Sequence, residues 1–365
     1  MKYDFVIVGA GLTGATFARV ATDRSKHCLV VDRRSHIGGN CYTEERNSMH
    51  MHVYGPHIFH TSDEMVWRFI TRFASFNSFV NRPKVIAGDR IFSFPLNMMT
   101  FHQLWGVMTP DEARQEIFER SEPYRIRFPD PQNMEEYALG KVGLEIYERF
   151  IRGYTMKQWH RQPDELPPFI LKRIPIRYTW EDNYYIDKYQ GIPLLGYTRI
   201  FEGLLEGSDV LLGTDYLSDR VRFESMAPRI VYTGRLDELH GHVLGSLDFR
   251  SLRFEHRDEL GDVQGNAIMN YANVDIPWTR QVEHKHFNPD VCYPRTVITR
   301  EFSDTCHVGS EPYYPINDRT NDALQSRYIT LCDKQYIIAG RLGQYQYFDM
   351  DDAIKSALQL AAEHI

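Results

Sequence analysis

The chain has 365 residues, enough for about two or three domains of ordinary size. Its formal net charge of −7, with both signs interspersed, argues against nucleic acid or an anionic membrane as a partner. No apolar run predicts a membrane-spanning helix, and five cysteines without C-x-x-C spacing favour free thiols in a reducing cytoplasm over a disulfide framework.

The start of the chain has the pattern of a strand, a glycine-rich turn, a helix and a second strand. We predict strands at Phe5–Val8 and Cys28–Val31, with a helix over Ala15–Thr22 between them. The turn reads GAGLTG, and an acidic residue, Asp32, directly follows the second strand. A βαβ unit of about 30 residues with these features is typical of dinucleotide-binding domains.

Each residue of this pattern has a physical task. Gly9 permits the tight turn, Gly11 lets the backbone approach a phosphate, and Gly14 lets the helix pack on the sheet. The helix N-terminus offers N–H groups to a pyrophosphate, and Asp32 can accept hydrogen bonds from a ribose diol.

A second glycine pair, Gly38 and Gly39, follows in the next loop. NAD does not require such a pair, whereas a flavin dinucleotide extends past the first turn and suits it. A plain turn stays open as the alternative.

The rest of the chain has helical and β-rich segments. Residues from about 98 to 150 have helical spacing, and one helix begins at TPDE. Short β-rich runs, such as IPIRYTW, AIMNYANV and RTVITREF, predict an antiparallel sheet. The runs DVLLGTDYL, RIVYTGRLD and QYIIAGRLG are typical of further strands of the nucleotide-binding domain.

Several longer stretches are more specific than any general fold motif. They are VGAGLTGA, HIGGN, HVYGPHIFHT, GYTMKQW, ELPPFILKRIP, DNYY, YQGIP, VDIPWTRQVEHKHF, EPYYPIND and GRLGQYQYFDMD. Through these stretches the chain resembles the bacterial UDP-galactopyranose mutases over nearly its whole length.

The resemblance implies an α/β fold with a Rossmann-like FAD-binding domain, an inserted helical domain and an antiparallel β-sheet domain. The expected bounds are 1–80, 200–245 and 325–365 for the FAD-binding domain, 96–172 for the helical insertion with its mobile loop, and 81–95, 173–199 and 246–324 for the sheet domain.

The resemblance also implies an isomerase that interconverts UDP-galactopyranose and UDP-galactofuranose for a cell-wall or O-antigen polysaccharide. FAD must be reduced, and its N5 is expected to form an adduct with the sugar as UDP leaves, with no net redox change. An electron donor such as NAD(P)H and a homodimer are further expectations. Two alternatives stay open: a mutase for an N-acetylated or deoxy nucleotide sugar, and an ordinary FAD-dependent oxidoreductase.

The site residues follow from the same resemblance. The implied catalytic group is Arg173, Arg280, His57, Tyr347 and Asp349. The implied substrate-binding residues are Phe150, Tyr154, Trp159, Tyr184, Tyr313, Tyr314, Asn81 and His160. The implied cofactor-binding residues are Gly9, Gly11, Thr13, Gly14, Asp32, Arg33, Gly38, Gly39, Asn40, His57, His60, Gly340, Arg341 and Met350. The two arginines suit a leaving diphosphate, because a guanidinium is permanently charged and bonds two oxygens at once.

We expect no metal site. The four histidines of MHMHVYGPHIFHT have no nearby Cys or Glu set with ligand spacing, and the resemblance implies no metal.

Three positions depart from what is common. His160 stands where the family commonly has glycine, Trp278 where it commonly has tyrosine, and Asp32 where many flavoproteins have glutamate. The imidazole of His160 could narrow the sugar pocket, donate a hydrogen bond to a sugar substituent, or point to solvent.

Overall fold

The computed structural model describes residues 2–173, 176–307 and 309–365, without the side chains of Phe169, Lys172 and Arg173. They form two compact units. Unit 1 is Met1–Ser78, Asp187–Ser251 and Cys306–Ile365, and unit 2 is Phe79–Ile186 and Leu252–Thr305. The predicted division into three domains remains a prediction. Residues 306–324, which it assigns to the sheet domain, belong to unit 1.

The strands of the described ranges are short apart from β11 and β14. They are β1 Phe5–Val8, β2 Cys28–Val31, β3 Thr43–Arg46, β4 Met49–His52, β5 Phe59–Thr61, β6 Lys84–Ala87, β7 Arg90–Ser93, β8 Tyr189–Gly191, β9 Asp209–Leu211, β10 Arg229–Tyr232, β11 Phe249–Leu260, β12 Ile268–Tyr271, β13 Arg280–Glu283, β14 Arg295–Thr305, β15 Tyr314–Pro315 and β16 Tyr336–Ile338.

The helices include one π-helical segment, Tyr147–Arg152, between α5 and α6. The α-helices are α1 Leu12–Asp23, α2 Glu64–Ile70, α3 Met98–Trp105, α4 Pro110–Arg127, α5 Met134–Ile146, α6 Gly153–Trp159, α7 Gly196–Leu205, α8 Arg220–Met226, α9 Leu236–Leu239, α10 Arg319–Thr330, α11 Gly340–Gly343 and α12 Met350–His364. None of those in the described ranges combines the length and apolar character that spanning a membrane requires.

Unit 1 is built on a parallel sheet in the order β16-β10-β1-β2-β9. Side chains alternate across it, as strand geometry requires. In β1, Phe5 and Ile7 face a core shared with α1, α7 and α12, while Val6 faces a second core around Phe223 and Tyr328. This sheet confirms the predicted Rossmann-like α/β class and the three strands expected late in the chain.

The first βαβ unit forms as predicted, except that its helix is longer. Helix α1 begins at Leu12 rather than Ala15, because Gly11 is extended and the glycine turn leads directly into the first helical residue. A Cβ atom on Gly14 would lie 2.0 Å from the carbonyl oxygen of Gly9. Helix and turn are therefore in backbone contact, which only a residue without a side chain allows.

Unit 2 combines helices with a mostly antiparallel sheet in the order β11-β14-β13-β12-β6-β7. Strands β12 and β6 are parallel, and the β13–β14, β12–β13 and β6–β7 pairs are antiparallel. Phe92 of β7 shares a core with Phe101, Ile146 and Tyr147 of the helical region. Thr109 and Glu112 form a capping box at the start of α4, as the TPDE signal predicts.

The strand expected within IPIRYTW is wrong for residues 176–180, and residues 174 and 175 of that run lie outside the described residues. Ile176 makes an isolated bridge to Leu96, the N–H of Arg177 donates to the Leu96 carbonyl, and the N–H of Met98 donates to the Thr179 carbonyl. The segment thus satisfies its backbone groups against the start of α3, and no regular ladder is needed.

Gly14→Ala tests the contact between α1 and the turn. The added methyl group cannot fit, so we expect the free energy of unfolding of unit 1 to fall by about 2 kcal/mol. The matched control is Gly140→Ala in α5, where the nearest atom to an added Cβ is Arg125 Cγ at an ordinary 3.6 Å. That change should leave stability unchanged or raise it by about 0.5 kcal/mol. Denaturant titration measures both, and equal midpoints for the two variants would contradict the assignment.

Candidate active site

A cavity of about 260 Å³ opens above the glycine turn of unit 1. Most of the predicted cofactor-binding residues line it, together with two residues predicted for other roles, Tyr313 and Asp349. The predicted residues at its wall are Gly9, Gly11, Thr13, Asp32, Arg33, Gly38, Gly39, Asn40, His57, Tyr313, Arg341, Asp349 and Met350. The structure therefore brings together residues as far apart in the chain as Gly9 and Met350.

The two glycine turns touch each other at the base of this cavity. Gly9 has a φ of +108°, and a Cβ there would lie 2.2 Å from Thr233 Oγ1. Gly39 has a φ of +54°, and a Cβ there would lie 2.9 Å from Gly11 Cα. A side chain at Gly39 would push the second turn away from the first, and one at Gly9 would collide with Thr233, so the second glycine pair belongs to the same cradle as the first.

Asp32 organises the backbone around the cradle. Its Oδ2 accepts a hydrogen bond from the Ala10 N–H at 2.7 Å, and its Oδ1 accepts one from the Arg34 N–H at 2.8 Å. Gly11, the residue before α1, has no side chain to cap the helix, so the first N–H groups of α1 are left for another acceptor. The ribose contact of Asp32 remains a prediction.

Arg34 is a site residue that the sequence analysis missed. Its Nη2 donates to Asn40 Oδ1 at 2.9 Å and to Glu311 Oε2 at 3.0 Å, and its guanidinium lies 4.3 Å from the centre of the Tyr54 ring. Its Nη1 is buried without a hydrogen-bond partner among the described residues. Arg33, the predicted residue, also lines the cavity but is half-exposed. The doubled arginine after Asp32 was the available signal.

Glu311 is the shared partner of these two arginines. Arg33 Nη2 lies 2.8 Å from the same Oε2 atom that Arg34 contacts. Burial alone would raise the pKa of Glu311, but the two guanidinium groups outweigh burial and hold the pKa below its ordinary value. Glu311 is therefore a charged anchor for Arg34 at neutral pH.

His57 is held in one tautomer by its surroundings. Its ring Nδ1 lies 2.8 Å from the Gly55 carbonyl oxygen, which can only accept, so Nδ1 carries the proton. In the neutral ring Nε2 is then an acceptor. The backbone N–H of His57 donates to His52 Nδ1 at 3.1 Å. His60 does not line the cavity, and its Nδ1 lies 2.9 Å from Asp187 Oδ2.

Three predicted residues of unit 1 form one aromatic and cationic cluster. The rings of Tyr314 and Tyr347 stack with centroids 5.4 Å apart, and the Arg341 guanidinium lies 5.3 Å and 5.5 Å from them. Arg341 Nη1 also donates to the Tyr313 carbonyl at 3.2 Å. Tyr313 itself is buried, which raises the pKa of its hydroxyl. The geometry thus groups Tyr314, rather than Tyr313, with Tyr347.

Gly340 and Asp349 have local structural roles. Gly340 has a φ of +75° and starts α11, where a Cβ would lie 3.2 Å from Thr13 Oγ1. Asp349 is the N-cap of α12 in a capping box with Asp352. The catalytic role expected for Asp349 remains a prediction.

In unit 2, Arg280 is fixed by a buried carboxylate. It is the first residue of β13 and lies directly opposite Glu301 of β14. Arg280 Nη2 is 3.1 Å from Glu301 Oε1, and Glu301 is almost fully buried. The buried Glu301 carboxylate therefore orients the Arg280 guanidinium and leaves it partly exposed. The side chain of Arg173 lies outside the described residues.

The predicted substrate-binding residues Phe150, Tyr154 and Trp159 divide between the core and helix α6. Phe150 lies in the π-helical segment and is 6% exposed, with its ring edge-on to Phe92 at 5.0 Å. Tyr154 and Trp159 belong to α6 and are partly exposed. The structure therefore places Phe150 in the core of unit 2, while α6 carries the two more accessible rings.

Asn81 and Tyr184 are joined through their backbones. The Tyr184 N–H donates to the Asn81 carbonyl at 2.7 Å. Asn81 is 4% exposed, and its Oδ1 is buried without a hydrogen-bond partner among the described residues. Tyr184 is partly exposed and its ring lies 6.2 Å from that of Phe94. Their contacts with substrate remain predictions.

His160 has a backbone conformation that favours glycine. Its φ of +52° and ψ of 32° end α6 in the left-handed region, which glycine adopts most readily. The imidazole ring is hydrogen-bonded to the protein. Its Nε2 lies 2.8 Å from the Ser303 carbonyl oxygen, and because a carbonyl oxygen can only accept, Nε2 donates. Contact with a sugar substituent remains a prediction.

One group of potential metal ligands occurs in the described part of unit 2. Asp262, Glu283 and His286 have ligand atoms within 4.8 Å of one another. The Glu283 carboxylate accepts the N–H groups of Val263 at 3.0 Å and Gln264 at 2.8 Å, and its hydrogen bond to His286 raises the pKa of that imidazole. The group is a hydrogen-bonded loop anchor and differs from the histidines considered in the sequence.

Comparison with known proteins identifies the family. The family model described as UDP-galactopyranose mutase matches residues 149–347, and the one described as NAD(P)-binding Rossmann-like domain matches residues 7–73. A probable UDP-galactopyranose mutase of Klebsiella pneumoniae is 40% identical over 99% of this chain and 94% of its own length. A dTDP-fucopyranose mutase of Escherichia coli is 36% identical over 99% of this chain and 98% of its own.

Solved structures agree at the level of the fold. The crystal structure of a reduced UDP-galactopyranose mutase has a TM-score of 0.78 at 13% identity, covering 100% of this chain and 94% of its own. A putrescine oxidase has a TM-score of 0.58 at 12% identity, covering 99% and 98%. The full-length identity to curated relatives confirms the predicted resemblance: the chain belongs to the UDP-galactopyranose mutase family.

Proposed function

We propose that this enzyme is an isomerase that interconverts UDP-galactopyranose and UDP-galactofuranose with the help of reduced FAD. The observation that carries the proposal is the 40% identity to a probable UDP-galactopyranose mutase over 99% of this chain. We further propose that an NAD(P)H-type donor reduces the flavin, that the enzyme is a cytoplasmic homodimer, and that a cell-wall or O-antigen polysaccharide receives the furanose.

The residues of the cavity in unit 1 fit a flavin dinucleotide. Gly9, Gly11 and Gly39 leave bare backbone at its base, and α1 has uncapped N–H groups for a pyrophosphate. The buried Nη1 of Arg34 is a donor in need of an acceptor, and a phosphate or ribose oxygen would supply one. Asp32 and Arg34 would hold the nucleotide. When bound, reduced FAD supplies a nucleophile, its N5, for the anomeric carbon of the sugar.

Arg280 retains the leaving group in this proposal. As the anomeric C–O bond breaks, UDP gains negative charge on its diphosphate, and a cation that is already oriented stabilises that charge. Glu301 holds the Arg280 guanidinium at 3.1 Å, so little side-chain freedom is lost when UDP binds. UDP that stays bound can return to the same carbon after the ring has changed size.

In this proposal Tyr154 contacts the uracil and Trp159 lies near the sugar end of the substrate. Both lie on α6 and are partly exposed, and an aromatic ring can stack on uracil. Exclusion of water by closure over the substrate would protect the open-chain form of the sugar.

Related nucleotide sugars are the second candidate. The dTDP-fucopyranose mutase of E. coli is nearly as similar as the Klebsiella relative, at 36% against 40% identity. Uracil and thymine differ by one methyl group, and galactose and fucose differ by one hydroxyl group. A direct comparison of substrates is therefore required.

Turnover with reduced and oxidised protein tests the function. Dithionite-reduced protein is incubated with UDP-galactofuranose, and in parallel with dTDP-fucofuranose, and the products are separated by chromatography. We expect UDP-galactopyranose from the reduced protein only. Faster turnover of the dTDP-sugar would favour the second candidate. Stoichiometric oxidation of substrate would indicate an oxidoreductase, and no product from either sugar would contradict the proposal.

Arg34→Lys tests the assignment of the nucleotide cradle. Lysine cannot reach Asn40, Glu311 and a ligand oxygen together, so we expect FAD to dissociate about tenfold more readily. Arg222→Lys is the control, because the Arg222 side chain of α8 is exposed and does not line the cavity, and it should change FAD retention by less than about threefold. Flavin fluorescence after dialysis gives the retained fraction. Similar retention in the two variants would remove Arg34 from the cradle.

Arg280→Ala tests the diphosphate assignment. We expect kcat/KM for the UDP-sugar to fall by about 100-fold or more, because a charge-assisted bidentate contact is lost, while the absorption spectrum of the bound flavin stays the same. Arg257→Ala, at an exposed arginine of β11, is the control and should retain activity. Wild-type kinetics in the Arg280 variant would exclude it from the site.

A further inference from the structure

The C-terminal half of α6 is tied to a neighbouring loop by one ammonium group. Lys157 Nζ donates to the Tyr271 carbonyl at 2.6 Å and to the Trp278 carbonyl at 3.0 Å. These carbonyls stand at the two ends of the loop that joins β12 to β13. A single side chain of α6 therefore closes this loop at its base.

The loop in turn sets the start of β13. The Tyr271 N–H donates to the Thr279 carbonyl at 3.0 Å, and the Thr279 N–H donates to the Glu301 carbonyl at 2.9 Å. The Trp278 ring lies 5.5 Å from the Tyr271 ring. Because Arg280 is two residues after Trp278, any shift of the Trp278 carbonyl would move the guanidinium that we assign to the diphosphate.

A second pair of hydrogen bonds joins the same end of α6 to β14. His160 Nε2 donates to the Ser303 carbonyl at 2.8 Å, and Ser303 Oγ donates to the Gln158 carbonyl at 2.8 Å. The residues on both sides of Trp159 are thus fixed to the strand that carries Glu301.

The Lys157 ammonium is well suited to stable hydrogen bonds with backbone carbonyls. Carbonyl oxygens accept its protons, and burial, opposed in part by Asp275, lowers the pKa of its ammonium to about 8. It is therefore mostly protonated at neutral pH and retains strong donors. Its two bonds are made to backbone, whose position is less free than that of a side chain.

We propose that Lys157 is a positioning residue that sets the distance between the aromatic rings of α6 and the Arg280 guanidinium. With this distance fixed, a nucleoside diphosphate binds through its nucleobase and its phosphates at the same time. The inference rests on the proposed function, because it assigns Tyr154 to the uracil, Trp159 to the sugar end and Arg280 to the diphosphate. All of these residues belong to unit 2.

The experiment compares Lys157→Met, which keeps the aliphatic stem, with Lys157→Arg, which keeps a charged donor. Lys285→Met is the matched control, because Lys285 also donates to two carbonyls of unit 2, those of Gly261 at 2.9 Å and Tyr293 at 3.3 Å. Calorimetry measures UDP affinity of the FAD-loaded protein, and hydrogen–deuterium exchange follows the amides of residues 272–279.

We expect Lys157→Met to weaken UDP binding about tenfold and to speed exchange in residues 272–279, because two hydrogen bonds to a charged donor are lost. Lys157→Arg should recover most of the affinity, within about threefold of wild type, and Lys285→Met should stay within about twofold. A single cooperative melting transition of the flavin-bound protein shows that each variant is folded. If Lys157→Met does not fold, Lys157→Gln, which keeps one amide donor group, replaces it and should show a smaller loss of the same kind.

Wild-type affinity in the folded Lys157 variant, or an equal loss in Lys285→Met, would overturn the inference. If the wild-type protein binds UDP but does not convert the sugar, the proposed function fails, while the affinities and exchange rates still decide the role of Lys157. If the wild-type protein does not bind UDP, both proposals are overturned.

Discussion

Backbone contact between glycines is the constraint on which unit 1 depends. The Gly9 carbonyl lies where a side chain on Gly14 would be, and Gly39 lies against Gly11. These contacts bring the start of α1 and the second loop to one cradle at the carboxyl end of the parallel sheet, where α/β proteins commonly bind ligands. Arg34, Glu311 and the other charged residues around the cavity are arranged on this frame.

In unit 2, cationic side chains near the surface are held in fixed orientations. A buried carboxylate, Glu301, directs Arg280, and backbone carbonyls direct Lys157. Each charge is satisfied on one side by fixed acceptors. An anion that binds Arg280 therefore meets a group that is already oriented, which is the kind of preorganisation that electrostatic stabilisation requires.

The sequence predicted the parts of the fold that depend on local pattern. The bounds of β1 and β2, the glycine turn and the cap at Thr109 follow from side-chain periodicity and helix-entry signals, and all three are observed. The segment after Pro175 was predicted as a strand because its residues suit one, but contacts with the start of α3 outweigh that preference. Arg34, Lys157 and Glu301 were missed since their roles depend on partners from 21 to 277 positions away, which spacing alone does not reveal.

The proposed function requires that the anomeric C–O bond breaks while UDP stays bound. Positional isotope exchange detects this step when UDP-galactopyranose carries ¹⁸O at the oxygen that bridges the sugar and the β-phosphorus. With reduced protein, we predict that the label moves into non-bridging positions of recovered substrate, and that oxidised protein leaves it in place. A label that stays at the bridge while the reduced protein turns over the sugar would show that this bond does not break with UDP retained.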